Sequence, residues 1–370
     1  MAWHSSMISS WRRASLTVRW LLIVVLVLVL IRIALPYVLE SYVNHALNKS
    51  RAYGGRIGHV NMQLWRGGYG IHQIEIFKRD GKVQSPLFSA QQVDLSIEWH
   101  ELIHGSLVGE VIMHQPRINF VEGPTPDQSQ NGKNEDWDKL LESLFPFKLN
   151  RVEIANGEIH FQNPESKPPV DIYTSRIFAT ATNLTNARDL HEKLPSGLSA
   201  HGSIYGNGHL DLELHMNLVK AKPAFEINCG VTNVNLVDLN DFLRAYGKFD
   251  VERGSFALYT SVASDGGTYE GYFKVFFANL DIFEWEKERK KNILEIFWQA
   301  IVGGVTTALK NHPKDQLATK VPISGSYSNS TVGVFTATGT LLQNAFIHAL
   351  VPKLDKPVTV EQVEKTQDKK

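Results

Sequence analysis

One pentapeptide of this sequence has the residue types and the spacing of a metal-dependent hydrolase. His100, Glu101 and His104 match the HExxH pattern, in which two histidines bind zinc and the glutamate activates a water molecule. The pattern needs a helix, because residues four positions apart share one side only when the backbone is helical. Three residues downstream could supply a further ligand: Glu110, His114 and Glu122.

The residues around this motif favour a strand and a turn over a helix. Apolar and polar side chains alternate up to the motif, and Gly105-Ser106 follow it directly. Such alternation is typical of a strand with one wet face, and it leaves little helix to present both imidazoles. The apolar positions are Val93, Leu95, Ile97 and Trp99. We therefore interpret the motif as a turn between strands, with a zinc hydrolase as the alternative.

The composition argues against several other kinds of chemistry. The 370 residues contain 38 basic and 38 acidic side chains, and a net charge of zero does not suit a nucleic-acid reader. Cys229 is the single cysteine, which excludes an intramolecular disulfide and a multi-cysteine metal site. No glycine-rich phosphate loop and no GxSxG motif is found. We expect no cofactor and no nucleic-acid partner.

The first forty residues predict a membrane anchor. No polar residue occurs between Trp20 and Ile31, and with its apolar flanks the stretch reaches roughly 20 residues, enough to cross a bilayer. Three arginines precede the span and Glu40 follows it, so the rule of positive charge inside predicts a cytoplasmic arm at 1–16 and an anchor at 17–39. The alternative is a cleaved signal peptide, whose apolar core is usually shorter.

Beyond the anchor, the pattern of apolar and polar residues predicts mostly β-strands. Apolar Leu210, Leu212 and Leu214 alternate with polar residues, as do Phe225 and Ile227. This pattern predicts a mainly β fold of roughly fifteen antiparallel strands with few helices. The expected divisions are a β segment over 40–122, a polar loop with a short helix over 123–147, a β-rich domain over 148–352 and a disordered tail over 353–370. Helices are predicted near 41–50, 137–144, 237–246, 285–310 and 341–350.

An internal repeat is visible in three segments, each with a turn or kink residue three positions after an apolar residue. They are Met113–Phe120, Ile154–Phe161 and Val251–Leu258. The kinks suit a bent edge strand at Pro116, a hairpin turn at Asn156-Gly157 and a bulge at Arg253-Gly254. The repeat predicts a repetitive meander.

Several segments together resemble a known family. After the anchor come 69–76, 87–99, LIHGSLVGE at 102–110 and QPRI at 115–118, followed by FDVERGSF at 249–256, YEGY at 269–272, DQLAT at 315–319 and QNAF at 343–346. In this order they resemble the AsmA-like bacterial envelope proteins, in the branch built around a domain of unknown function. The likeness covers nearly the whole chain, but its motifs are structural and name no catalytic residue.

The resemblance implies a single-pass bacterial inner-membrane protein with a cytoplasmic N-terminus. Its periplasmic part is expected to be an elongated, folded-over β-sheet with an apolar groove that binds lipid acyl chains. Larger relatives are implicated in phospholipid movement across the periplasm, and the branch in outer-membrane integrity. The alternative is a non-catalytic scaffold that binds envelope protein partners. The predicted groove lining consists of Leu95, Ile97, Trp99, Leu210, Leu212, Leu214, Phe225 and Ile227.

The segment 285–310 has apolar residues at helical spacing behind a charged head. We expect this amphipathic helix to cap one end of the sheet, with Phe297 and Ile301 buried. A lid at the groove mouth is the alternative.

Overall fold

The computed structural model describes residues 3–48, 52–63, 67–97, 108–130, 148–184, 193–217, 224–247, 249–265, 268–282 and 316–326. Several predicted features lie outside these residues: Trp99, the motif of His100 and His104, the helices near 137–144, 285–310 and 341–350 with Phe297 and Ile301, and the tail over 353–370. Those features stay predictions.

The chain begins with one long helix, α1, which spans Trp3–Leu47. The stretch Val18–Leu47 of this helix is long and apolar enough to cross a membrane, and its most apolar 18 residues include none that is buried. The anchor predicted to end at 39 and the separate helix predicted near 41–50 are therefore one element. Pro36 lies inside this helix, where it removes one backbone hydrogen bond.

Fourteen strands and a few short helical turns make up the rest of the described chain. The strands are β1 (Tyr53–Arg56), β2 (His59–Gln63), β3 (Gly68–Lys78), β4 (Phe88–Ile97), β5 (Val108–His114), β6 (Arg117–Val121), β7 (Lys148–Asn163), β8 (Val170–Thr182), β9 (Ser196–Ile204), β10 (Gly208–Asn217), β11 (Ala224–Asn235), β12 (Val251–Asp265), β13 (Thr268–Ile282) and β14 (Gln316–Ser326). The helical turns are Pro126–Gln128, Leu236–Leu239, Asn240–Phe242 and Leu243–Gly247.

All fourteen strands belong to one sheet, in the order β1-β3-β4-β5-β7-β8-β9-β10-β11-β12-β13-β14, with β2 beside β3 and β6 between β4 and β7. The sheet is mixed, which corrects the antiparallel prediction, because β5 and β6 both pair with β7 in parallel. Parallel neighbours need a long connection, and the segment between β6 and β7 supplies one. Every other pair is antiparallel in the described part of the sheet.

The parallel pairing joins the first two copies of the internal repeat. Met113 faces Ile154 and Phe120 faces Phe161 in register. Pro116 lies between strands that are paired on both sides, so the predicted edge strand is wrong. The predicted hairpin at Asn156-Gly157 is also wrong, because β7 continues through it and Asn156 adopts a φ of 58° there.

Such irregularities recur across the sheet and keep its two faces chemically distinct. Positive φ values occur within strands at Gln73, Asn156, Arg176, Asn233 and Asn279. A bulge sets two residues opposite one, so apolar residues three positions apart then point to the same side. The predicted bulge at Arg253-Gly254 is confirmed by a register shift between β12 and β13. One side, the inner face, therefore stays apolar on both sides of the bulges.

Three apolar clusters occupy the inner face. The first packs the end of α1 against β1–β5, and the third joins β10, β11 and β12 around Leu214 and Phe225. The second packs the helical segment 236–247 against strands on both sides of it, including Ile172 of β8 and Val251 of β12. The predicted helix near 237–246 is confirmed. Because strands far apart in the sheet share this cluster, the sheet curves around the helical segment.

Candidate functional site

Two rows of side chains cross the inner face at right angles to the strands. Successive members face each other across ten neighbouring strands, from β2 to β12. The first row is Val60, Ile71, Val93, Met113, Ile154, Ala179, Ala200, Leu212, Cys229 and Thr260. The second row is Met62, Tyr69, Leu95, Val111, Val152, Ala181, Leu198, Leu214, Ile227 and Val262. Neither row contains a charged residue, and apart from Thr260 and the Tyr69 hydroxyl the members are apolar, so together they form an apolar track.

The side chains in the middle of this track are more exposed than most of the side chains at its two ends. Most row members on β2–β4 are buried against α1, and several on β10–β12 are buried in the third cluster. Between them the side chains are half-buried, and several are as small as alanine. We name this part the trough: Met113, Val152, Ile154, Ala179, Ala181, Leu198, Ala200, Leu212 and Cys229. In this part of the track, small side chains such as Ala179, Ala181 and Ala200 lie between bulkier apolar ones.

The residues predicted to line a groove all lie on the inner face where they are described. Leu95, Leu212, Leu214 and Ile227 belong to the rows, and Ile97, Leu210 and Phe225 flank them. Of these, Leu95, Leu214, Phe225 and Ile227 are buried in the core, whereas Leu212 lines the trough. Sequence reasoning missed the trough members on β5, β7, β8 and β9. Alternation alone did not single them out, because bulges interrupt it in β7 and β8.

The end of α1 is fastened to the first strands by a polar latch. The Asn48 Nδ2 atom donates to the carbonyl oxygens of Asn44 and Gly55, both at 2.8 Å. Arg79 donates from Nη2 to the Asn48 carbonyl oxygen at 2.9 Å and from Nε to the Tyr53 carbonyl oxygen at 2.9 Å. A cation beside the helix C-terminus also complements the helix dipole. The latch fixes the end of α1 to the sheet.

A charged cluster lies on the opposite, outer face of β6, β7 and β8. His160 bonds through Nδ1 to Asp171 at 2.8 Å, and its side chain is only 12% exposed. The hydrogen bond to Asp171 raises the pKa of His160 despite the opposing effect of burial. Burial would raise the pKa of Asp171, but hydrogen bonds from His160 and Gln162 outweigh it, so the pKa is lowered. This cluster ties strands together and presents no nucleophile.

A cleft of about 540 Å³, with both polar and apolar residues in its lining, lies beside this cluster. Its walls include Lys82, Ser85, Gln162, Glu165 and Asp171. The volume lies in the range of small-molecule sites, but such sites are mostly apolar. An acyl chain in this cleft would lie against charged side chains such as Lys82, Glu165 and Asp171, which the trough does not contain.

The described residues bear on two kinds of chemistry, metal ligation and thiol reactivity. Among them, no group of three or more His, Cys, Asp or Glu side chains is placed to hold a metal ion. Burial, with a smaller effect of Asp211, raises the pKa of Cys229 to about 11, which disfavours the reactive thiolate. The side chains of the trough are all uncharged and are suited to contact with apolar groups.

Comparisons with known proteins add no family to this description. No protein-family model matches the chain, and no curated protein matches it significantly. The described chain is a mainly β protein with one large mixed sheet and one N-terminal helix long and apolar enough to span a membrane.

Proposed function

We propose that this protein is a non-catalytic lipid-binding protein of the AsmA-like type, anchored in the bacterial inner membrane by α1. Its sheet lies in the periplasm, where the trough holds the acyl chains of a phospholipid or another lipid. Its role is in envelope lipid homeostasis, by holding or transferring such lipids. The observation that carries this proposal is the uncharged double row across ten strands.

The dimensions of the track support an acyl chain as the ligand. At ~4.8 Å between strands, ten strands extend over about 43 Å. The chains of one membrane leaflet cover about half of a ~30 Å hydrocarbon core, so one chain fits within the track. Each methylene removed from water contributes about 0.8 kcal/mol. An apolar strip with no charged member favours this ligand over a polar one.

The attachment of α1 supports the cellular location. The exposed apolar stretch of α1 continues, within the same helix, into its last turns, which pack on β1–β5. A bilayer around that stretch therefore lies next to the sheet. The arginines before the span favour a cytoplasmic N-terminus and an exported sheet.

Photo-cross-linking from two adjacent residues of β10 tests the trough. A photoreactive amino acid replaces Leu212, which lines the trough, or Glu213, which is exposed on the outer face. The full-length protein is placed in vesicles of phosphatidylethanolamine and phosphatidylglycerol and irradiated. We expect lipid adducts from position 212 and few from position 213, because successive side chains of a strand point to opposite faces.

Two other outcomes decide between the proposed function and its alternatives. Equal and weak labelling at both positions contradicts lipid binding in the trough, and protein adducts formed in whole cells at position 212 would favour the scaffold. Zinc bound in stoichiometric amount by the purified protein would instead support the zinc-hydrolase alternative, with His100 and His104 as ligands.

A further inference from the structure

The second row reaches the part of α1 that lies nearest to the exposed apolar stretch. Its first members, Met62 and Tyr69, are half-buried and pack against the cluster formed with α1. Leu39 of α1 packs against the same cluster. Farther along the helix, Asn48 donates to the Gly55 carbonyl oxygen of β1, and the Asn44 Oδ1 atom accepts from the Ile57 backbone N–H. Among the α1 residues that pack in this cluster, Leu39 is thus the one nearest to the exposed apolar stretch.

Two tyrosines stand at this end of the row. Tyr42 of α1 is 45% exposed. Tyr42 lies between Leu39 and Val43 of α1, which both belong to the cluster that Tyr69 packs against, and burial, with a smaller effect of Tyr42, raises the pKa of Tyr69 to about 12. A tyrosine combines an apolar ring with a polar tip, which suits the boundary between hydrocarbon and water.

We propose that Leu39, Tyr42, Met62 and Tyr69 form a portal through which an acyl chain passes between the bilayer and the trough. The portal rests on the proposed function, because it serves the same ligand. It adds the route by which the ligand enters or leaves. The occupant is a hydrocarbon chain, since Leu39, Met62 and the ring of Tyr69 belong to an apolar cluster.

A buried neck lies between the portal and the trough. Leu95 and Val111 follow Tyr69 in the second row, and each is only 2% exposed. A chain that crosses the neck must displace its packing, but it remains in contact with apolar groups throughout. The neck separates the trough from the bilayer at rest, so exchange through the portal is gated.

Adjacent residues of β2 provide a matched test. A photoreactive amino acid replaces Met62, on the inner face, or its neighbour in β2, Asn61, which is exposed on the outer face. The full chain is irradiated in vesicles of phosphatidylethanolamine and phosphatidylglycerol. Position 62 is expected to form several-fold more lipid adduct than position 61. Equal labelling at both positions would show mere proximity to the bilayer and overturn the portal.

A second pair of variants tests passage rather than contact. Met62→Asp or Asn61→Asp is combined with the photoreactive residue at position 212, and folding is checked by the melting temperature. Met62→Asp is expected to slow the appearance of adduct at 212 by about tenfold, which corresponds to ~1.4 kcal/mol, whereas Asn61→Asp leaves it unchanged.

The outcomes separate the portal from the proposed function. Unchanged labelling at 212 in a folded Met62→Asp variant overturns the portal and leaves the trough intact. Absence of labelling at 212 in the otherwise unaltered chain contradicts the proposed function itself, and the portal fails with it.

Discussion

The contact between α1 and β1 depends on a glycine, and we expect Gly55→Ala to weaken it. A Cβ atom at position 55 would lie 2.7 Å from the Leu47 Cβ atom and 3.1 Å from the Glu75 carbonyl oxygen. Both neighbours are close to backbone, and Leu47 is only 2% exposed, so neither can move aside cheaply. Overpacking of this kind costs about 1–3 kcal/mol of unfolding free energy.

Gly230→Ala is the matched control, because it is also a strand glycine without a positive φ. The nearest atom to its added Cβ is 3.7 Å away, an ordinary contact. This change should be neutral or stabilise the protein by about 0.4–1 kcal/mol.

Urea unfolding of the full chain in detergent, followed by circular dichroism, measures the difference. With a slope near ~3 kcal/mol per molar urea, the midpoint of Gly55→Ala should fall by roughly 0.3–1 M. Equal midpoints for the two variants would refute the tight fit of α1 on β1, and with it the placement of the bilayer next to the sheet.

Three further predictions follow from other parts of the molecule. Because the pKa of His160 is raised in the folded protein, its contribution to stability is complete below the ordinary histidine pKa and is lost as the pH rises through the raised folded pKa. His160→Gln should therefore lower the unfolding free energy most at about pH 5 and least at about pH 9, as measured by urea unfolding. Tyr246→Phe removes the hydroxyl that donates to Glu122 at 2.5 Å and should lower the unfolding free energy by about 1–3 kcal/mol. Tyr259 is exposed, so Tyr259→Phe is the control and should change the unfolding free energy by less than about 0.5 kcal/mol. A reporter fused after Lys370 should behave as exported while the mature chain keeps its N-terminal residues; a mature chain that starts near residue 44 would identify a cleaved signal peptide instead.

Much of the sheet could be predicted from the sequence because alternation is a local signal. The run from Leu210 to Leu214 lies in β10 and the run from Phe225 to Ile227 lies in β11, and the two strands pair antiparallel. The placement of inner-face residues followed from that alternation wherever a strand has no bulge.

The pairing of distant segments could not be predicted in the same way. Nothing in local patterning distinguishes a parallel neighbour from an antiparallel one, and β7 is parallel to β5. The internal repeat contained the missing signal, because two copies of one bent pattern can lie side by side with their bends aligned. A hairpin at Asn156-Gly157 was the wrong inference from a residue pair that also suits a bulge.

The residues of the trough could be predicted only in part, because bulges decide which side chains lie on the inner face. Apolar residues three positions apart within one strand, such as Ile154 and Gly157 flanking Asn156, mark the places where alternation shifts. Small residues such as Ala179 and Ala200 carry little hydrophobic signal alone. Their role emerges only from register, which places them between Ile154 and Leu212.

Native mass spectrometry of the full-length protein, extracted in mild detergent, tests the central claim most directly. Lipid binding in the trough predicts a co-purifying phospholipid or other acyl-chain lipid, which is lost in a folded Leu212→Asp variant and retained in Glu213→Asp. A protein that is free of lipid, or one whose bound lipid is unaffected by Leu212→Asp, would contradict the account.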